Sequence, residues 1–392
     1  MVIDVSSTIS SVGSDCLVLT GATVYPAPDS PPVRDTVVVR GGRIEGIGGP
    51  APADARRIDC SGLSICAGFH NSHVHFFERK WAKAAETPAA ELARQLEDML
   101  LRYGFTTVFD TGSQWENTRT IRNRIESGEV AGPAIRSTGE GLIAPGGAPS
   151  DTVLAMMGVF PIALTELTGE DQAASAARSL LDAGVDAVKL FVSSPRVAPI
   201  PEAVMAAAVA EAHRAGKTAF AHPNNAADVL AAVRAGVDIV AHTTPASGAW
   251  DASLIEEMRA RGVAVTPTLT LWQWYLRHDR NSVCDRMIET AVGQLREWVK
   301  AGGEVLFGMD LGAVEYDPTP EYVLMEQAGM TFPQILESLT TAPARRFGGD
   351  ARIAPGLRAD LVVFEGDPAE DIRALGRVRY TVRGGRVIFS RS

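Results

Sequence analysis

The stretch TAFAHPNNAADVLAAVRAGVDIVAHTTP, residues 218 to 245, contains two short apolar runs, each ending in a histidine, with a helical run and a glycine between them. Brief apolar runs bounded by turn residues read as buried strands, and the helical run between them reads as the crossover that parallel strands require. The same alternation extends outward. Strands are expected at LSICAGFHNSHVH (63–75), TTVFDTG (106–112), AIRSTG (134–139), DAVKLFV (186–192), AVTPTLTL (264–271) and EVLFGMD (304–310). Helical runs such as EDQAASAARSLLDAG, PEAVMAAAVAEAHRAG and DASLIEEMRARG separate them. Thr87-Pro88 reads as the cap and first residue of the first helix, and Thr331 with Gln334 as a capping box for a late one.

Eight strands alternating with helices over about 280 residues have the length and rhythm of a (β/α)8 TIM barrel. An open doubly wound sheet is the competing arrangement of the same alternation. Outside this region the period changes to that of short strands with tight turns. CLVLTGATVYP and DTVVVRGGRIEGIG lie at one end, and ADLVVFEGD and RVRYTVRGGRVIFS at the other, with a Gly-Gly turn in each half. Neither end is long enough to build a core alone, so both termini are expected to form one small β-sandwich. The expected division is a composite β-sandwich domain from residues 1–66 and 349–392, and a barrel from residues 67–348.

The chain has 392 residues, 46% of them hydrophobic, and a net charge of -10. Its lysines and arginines are scattered, which argues against a nucleic-acid surface. No apolar run reaches the roughly 18–20 residues of a membrane span, and the first residues lack the features of a signal peptide. Cys16, Cys60, Cys66 and Cys284 lie far apart, without metal-finger or CxxC spacing, and fit reduced core thiols. A cytoplasmic protein without a membrane partner is expected; the number of subunits stays open, a homo-oligomer included.

Barrel enzymes place their chemistry at the C-terminal ends of the strands. His73 and His75 stand there on strand one, two residues apart and therefore on one face of an extended strand. His222 ends strand five, His242 strand six and Asp310 strand eight, and all five are metal-ligand types. Lys189 lies within the apolar strand-four run, where desolvation would lower its pKa. Taken singly, a strand histidine is most often a satisfied core residue; the force of the set is that four of seven histidines fall at strand ends. His70, His213 and His278 read as structural or exposed.

GFHNSHVH, DAVKLFV, FAHP, VDIVAHTTP and FGMD together resemble the motifs of the amidohydrolase superfamily, and the tail IAPGLRADLVVFEGDP with VRGGRV is similar to part of that superfamily's β-sandwich. The spacing of 20 between His222 and His242, with the strand-four lysine, resembles the imidazolonepropionase-like and prolidase-like branch. The resemblance implies two divalent metal ions, zinc by first choice. His73, His75 and Asp310 would hold one and His222 and His242 the other, with Lys189 as an N6-carboxylysine bridging both. It further implies a shared hydroxide, with Asp310 as the catalytic group that moves its proton to the leaving nitrogen. Asn71 stands where the superfamily usually has Asp and is expected to face away from the metal.

The expected function is hydrolysis of the C–N amide bond of a small N-acyl amino acid, dipeptide or related amide. A cyclic amide, lactam or ester on the same site is the alternative, and a catalytically silent binding protein is the rival from another class. Specificity should lie on the loops after the strands. Trp272, Trp274 and Tyr275 read equally as an aromatic substrate wall or as packing, Arg196 as a carboxylate clamp or a solvated loop residue, and GEGLIAPGGAPSD (139–151) as a lid or a connector.

Overall fold

A computed structural model describes residues 16–147, 164–193, 197–277 and 282–391. The N-terminal strands are β1 (Cys16–Val24), β2 (Val33–Arg40), β3 (Arg43–Ile47), β4 (Arg56–Asp59) and β5 (Leu63–Ala67). Barrel strands follow: β6 (Phe69–Val74), β7 (Phe105–Asp110), β8 (Ala134–Ser137), β11 (Ala187–Phe191), β12 (Thr218–His222), β13 (Ile239–Ala241), β14 (Ala264–Thr266) and β15 (Glu304–Val305). A two-residue pair, β9 (Leu142–Ile143) and β10 (Thr165–Glu166), sits beside the end of β11. The last strands, β16 (Leu361–Glu365), β17 (Val378–Arg383) and β18 (Arg386–Ser390), return to the N-terminal ones.

The two termini share one mixed sheet in the order β18-β17-β16-β5-β1-β2-β3, with β4 beside β1. Alternate residues build its core, as the period-2 pattern requires: Leu17, Leu19, Val37, Val39, Ile44, Leu361, Val363 and Val382 face inward. Cys16, Val18 and Val38 point the other way. Gly41-Gly42 and Gly384-Gly385 turn the hairpins with positive φ at both positions. The two turns also touch, since a Cβ on Gly385 would lie 2.9 Å from the Gly42 Cα. The small sandwich is thus closed by the same dipeptides that make its hairpins.

The parallel strands form two runs, β6-β7-β8 and one from β11 to β15. Ser72 N–H donates to Phe307 O at 2.7 Å and Asp186 N–H to Ser137 O at 2.7 Å, joining the runs at both seams. Helices including Trp115–Glu126, Glu202–Arg214, Ala226–Arg234 and Ser282–Lys300 surround them. This is a TIM barrel. Its lower interior is filled by Phe109, Ala187, Phe220, Ile239, Ala264 and Leu306, the side-chain layering that makes such a barrel solid.

Local differences from expectation have physical causes. LSICAGFHNSHVH is two strands in two sheets, divided at Gly68, where a Cβ would lie 2.2 Å from Thr106 Oγ1. Pro88, not Thr87, caps the helix Ala89–Met99, and the Thr87 hydroxyl turns back to Lys83 O at 2.9 Å. In AVTPTLTL the strand ends at Thr266; Pro267 cannot donate to a ladder, Thr268 takes φ 45°, and the helix Leu269–Tyr275 begins. The capping box forms, with Thr331 N–H on Gln334 Oε1 at 2.9 Å. Among the described residues no helix is long and apolar enough to cross a membrane.

Candidate metal centre

His73, His75 and Asp310 converge where β6 meets the segment after β15. Asp310 N–H donates to His73 O at 2.9 Å and His75 N–H to Leu311 O at 2.7 Å, so strand eight delivers its aspartate beside the strand-one histidines. Gly308 permits this approach, since a Cβ there would lie 2.8 Å from His73 Cβ. His75 Nε2 is 2.9 Å from Asp310 Oδ1 and His73 Nε2 is 3.5 Å from it. Ligand atoms of the three buried residues lie within 4.8 Å of one another.

Two nitrogens and a carboxylate oxygen fit a divalent first-row ion. The outer contacts fit as well: His75 Nδ1 lies 3.0 Å from the Gly112 carbonyl, which fixes its proton there and leaves Nε2 with a lone pair toward Asp310. Burial would raise the Asp310 pKa, but His73, His75 and His242 outweigh it and hold the carboxyl well below its ordinary range. Burial, with the nearby Lys189 charge, keeps His73 neutral.

His242 and His222 stand next to this cluster. The His73 and His242 rings are 4.8 Å apart, and His242 Nε2 lies 2.8 Å from His222 Nδ1. His242 Nδ1 is 2.6 Å from Thr268 Oγ1. Burial depresses both pKa values, that of His222 to about 3. The non-glycine residues with positive φ among the described residues are His242, Thr268 and Asp310, so backbone strain collects at this mouth.

The expectation of two metal ions bridged by a carboxylated Lys189 is corrected. The set of His, Cys, Asp and Glu atoms close enough to share an ion among the described residues is His73, His75 and Asp310, one site. His222 and His242 turn ring nitrogens to each other. Lys189 is a lysine with an amine end, fully buried, its Nζ 5.4 Å from the Phe191 ring centre and without a hydrogen-bond partner. An amine lacks the two anionic oxygens that bridging requires, and burial lowers its pKa to about 7.

Asn71, two residues from His73, accepts the His73 N–H on Oδ1 at 3.1 Å and so helps to shape the strand end. Trp272 is tied to the site, with Nε1 on Thr243 Oγ1 at 2.9 Å. Trp274 instead lies under the Arg277 guanidinium, 3.7 Å from ring centre to carbon, and Tyr275 is exposed. Two further aromatic residues stand at the site: Phe77, in the run FFERKW (76–81) that reads equally as substrate wall or as packing, stacks on His75 at 4.6 Å, and Phe191, which has no reading from the sequence, is 5.4 Å from His222. Each lies two positions after a singled-out residue, which was the available signal. Arg196, His278 and residues 148–151 lie outside the described residues. His213 pairs with Asp238 at 2.9 Å on the barrel's outside, and burial lowers the His70 pKa to about 4.

The sequence profile of the amidohydrolase family matches residues 64–388. Ochratoxinase of Aspergillus niger is 22% identical over 369 residues, covering 82% of this chain and 75% of that protein. A Bifidobacterium longum protein assigned as a prolidase superposes with TM-score 0.79 at 26% identity, over 95% of this chain and 94% of that one. A Xaa-Pro dipeptidase with methionine bound in its active site superposes with TM-score 0.80 at 22% identity, over 96% and 100%. The expected branch marked by a strand-four lysine ligand is not retained, because the metal cluster comes from strands one and eight; the likeness to prolidase and dipeptidase structures is. From the matched profile and this fold, the chain belongs to the amidohydrolase family.

Proposed function

We propose that this protein is a metal-dependent hydrolase that cleaves the C–N amide bond of a small N-acyl amino acid, dipeptide or related amide. The observation that carries the reading is the convergence of His73, His75 and Asp310 at the C-terminal mouth of the barrel. The names of two similar proteins, the prolidase assignment and the Xaa-Pro dipeptidase, favour dipeptides.

His73, His75 and Asp310 would hold the ion, which when bound supplies Lewis acidity to water and carbonyl. Asp310 accepts the proton of the attacking water and passes it to the leaving nitrogen. It is ionised before the reaction begins, so its oxygens are free to accept. His222 and His242 stand on the inner side of the same mouth, with Lys189 buried near them. Phe77, Phe191 and Trp272 supply an apolar wall.

The test uses purified protein analysed for bound metal, reconstituted with zinc, cobalt or manganese, and incubated with dipeptides and N-acyl amino acids while released amine is measured. About one tightly held ion per chain and amine release from at least one group of amides are expected. A metal-loaded protein that releases no amine from any of them refutes the proposal.

A further inference from the structure

We propose that Asp110 is a positioning residue for His75, acting through the loop 111–113; this rests on the metal-centre reading above. Asp110 ends β7 and is fully buried. Its hydrogen bonds come from hydroxyls: Ser113 Oγ donates to Oδ1 at 2.6 Å, and Thr118 Oγ1 and Ser137 Oγ donate to Oδ2 at 2.9 and 2.8 Å. A carboxylate taken out of water and given only neutral donors is costly. Something must be gained from its shape.

What it shapes is the loop against the histidine strand. Thr111 N–H donates to Val74 O at 3.0 Å. Gly112 O faces His75 Nδ1 at 3.0 Å, and Ser113 Oγ accepts the Phe76 N–H at 2.7 Å. Three consecutive loop residues are thus laced to three consecutive strand residues, with His75 in the middle. The Ser113 hydroxyl can give its only proton to Asp110 and still accept from Phe76. Asp110 therefore fixes the direction of that hydroxyl and, with it, the height at which Gly112 O meets the imidazole. Thr118 and Ser137 anchor the carboxylate to the next helix and strand. The result is an imidazole protonated at Nδ1 with Nε2 aimed at Asp310, 2.9 Å away.

An asparagine at 110 keeps the volume and miswires the set. With its amide toward Ser113, that hydroxyl has two donors against it and loses its acceptor. Turned the other way, the amide opposes Thr118 and also Ser137, whose oxygen already accepts the Gly139 N–H at 2.9 Å. Neither orientation serves all three hydroxyls.

The experiment is a cobalt(II) titration of the full chain, reading the visible d–d absorption band and affinity by competition with a chelator, alongside thermal unfolding. Asp110→Asn should weaken cobalt binding by about 10- to 100-fold and alter the band, because the partners behind a ligand set its orientation. Ser113→Ala should move both in the same direction by less, and carries the test if Asp110→Asn does not fold. Glu304→Gln, which removes the charge that pairs the start of β15 with Arg345 and Arg346, should lower the melting temperature and leave band and affinity unchanged. A merely structural Asp110 would behave like Glu304. Wild-type affinity and band in folded Asp110→Asn, or in Ser113→Ala where the first variant fails, overturn the proposal. If the wild type itself binds no cobalt, the metal-centre reading fails and takes this inference with it.

Discussion

Glu321 is a carboxyl without exposed surface in the helix Thr319–Gln327. Its Oε1 accepts the Leu269 N–H at 2.8 Å, and Oε2 accepts the Thr270 N–H and Oγ1–H at 2.7 and 2.8 Å. These donors favour the charged form, but burial outweighs them and raises its pKa from an ordinary 4.5 to about 7. The folded chain therefore holds this proton more tightly than the unfolded one. Its contribution to stability is fully present below about pH 4.5 and is lost as pH rises through about 7. At about 1.4 kcal/mol per tenfold change in proton affinity, the loss is worth about 3 kcal/mol. Glu321→Gln does not titrate, but one face of its amide opposes the Leu269 N–H and costs about 1–3 kcal/mol at every pH. The wild type should be the more stable at about pH 4.5, and level with or behind the variant by about pH 8. Denaturant unfolding at a series of pH values, with both proteins metal-free, measures this. Trp272 and Trp274 report it by fluorescence from the helix whose first turn Glu321 holds. Parallel curves for the two proteins across that range would refute the reasoning.

Three further outcomes are expected. Lys189→Met should stabilise the metal-free protein by up to about 5 kcal/mol near pH 6, since a lysine whose folded pKa falls from 10.5 to about 7 loses stability wherever the unfolded chain is protonated and the folded one resists. The gain should shrink as pH rises toward 10.5, and unfolding at several pH values checks it. Gly68→Ala should cost about 1–3 kcal/mol by driving a methyl into Thr106, with the double variant Gly68→Ala/Thr106→Ala recovering part of it in chemical denaturation. Asp310→Asn should lower amide hydrolysis by at least about 100-fold and weaken metal binding, read from steady-state kinetics and metal analysis of one preparation.

Much of the fold was legible because it is written in periods. The alternation of apolar and helical runs from Thr87 onward leads to parallel strands with crossover helices, although closure into a barrel rests on the seam hydrogen bonds between remote strands, and the two Gly-Gly dipeptides mark hairpins because both positions need φ above zero. The same reasoning failed at LSICAGFHNSHVH. A continuous extended run does not show that its halves belong to different sheets; Gly68 divides it because a neighbouring strand brings Thr106 against it.

The candidate site divides in the same way. Residue type and strand position mark His73, His75 and Asp310, because i and i+2 share a strand face whatever lies around them. They do not determine which ligands meet. Asp310 reaches the strand-one histidines through hydrogen bonds linking residues more than two hundred positions apart, while His222 and His242 turn to each other and Lys189 stays a fully buried amine without a hydrogen-bond partner. Asp110 and Glu321 carry no signal of their own, since each acts through hydroxyls or amides that only folding places beside it. Along the chain, chemistry and period are local properties and can be read directly; distance, burial and the partner of a charge arise only when remote segments share space.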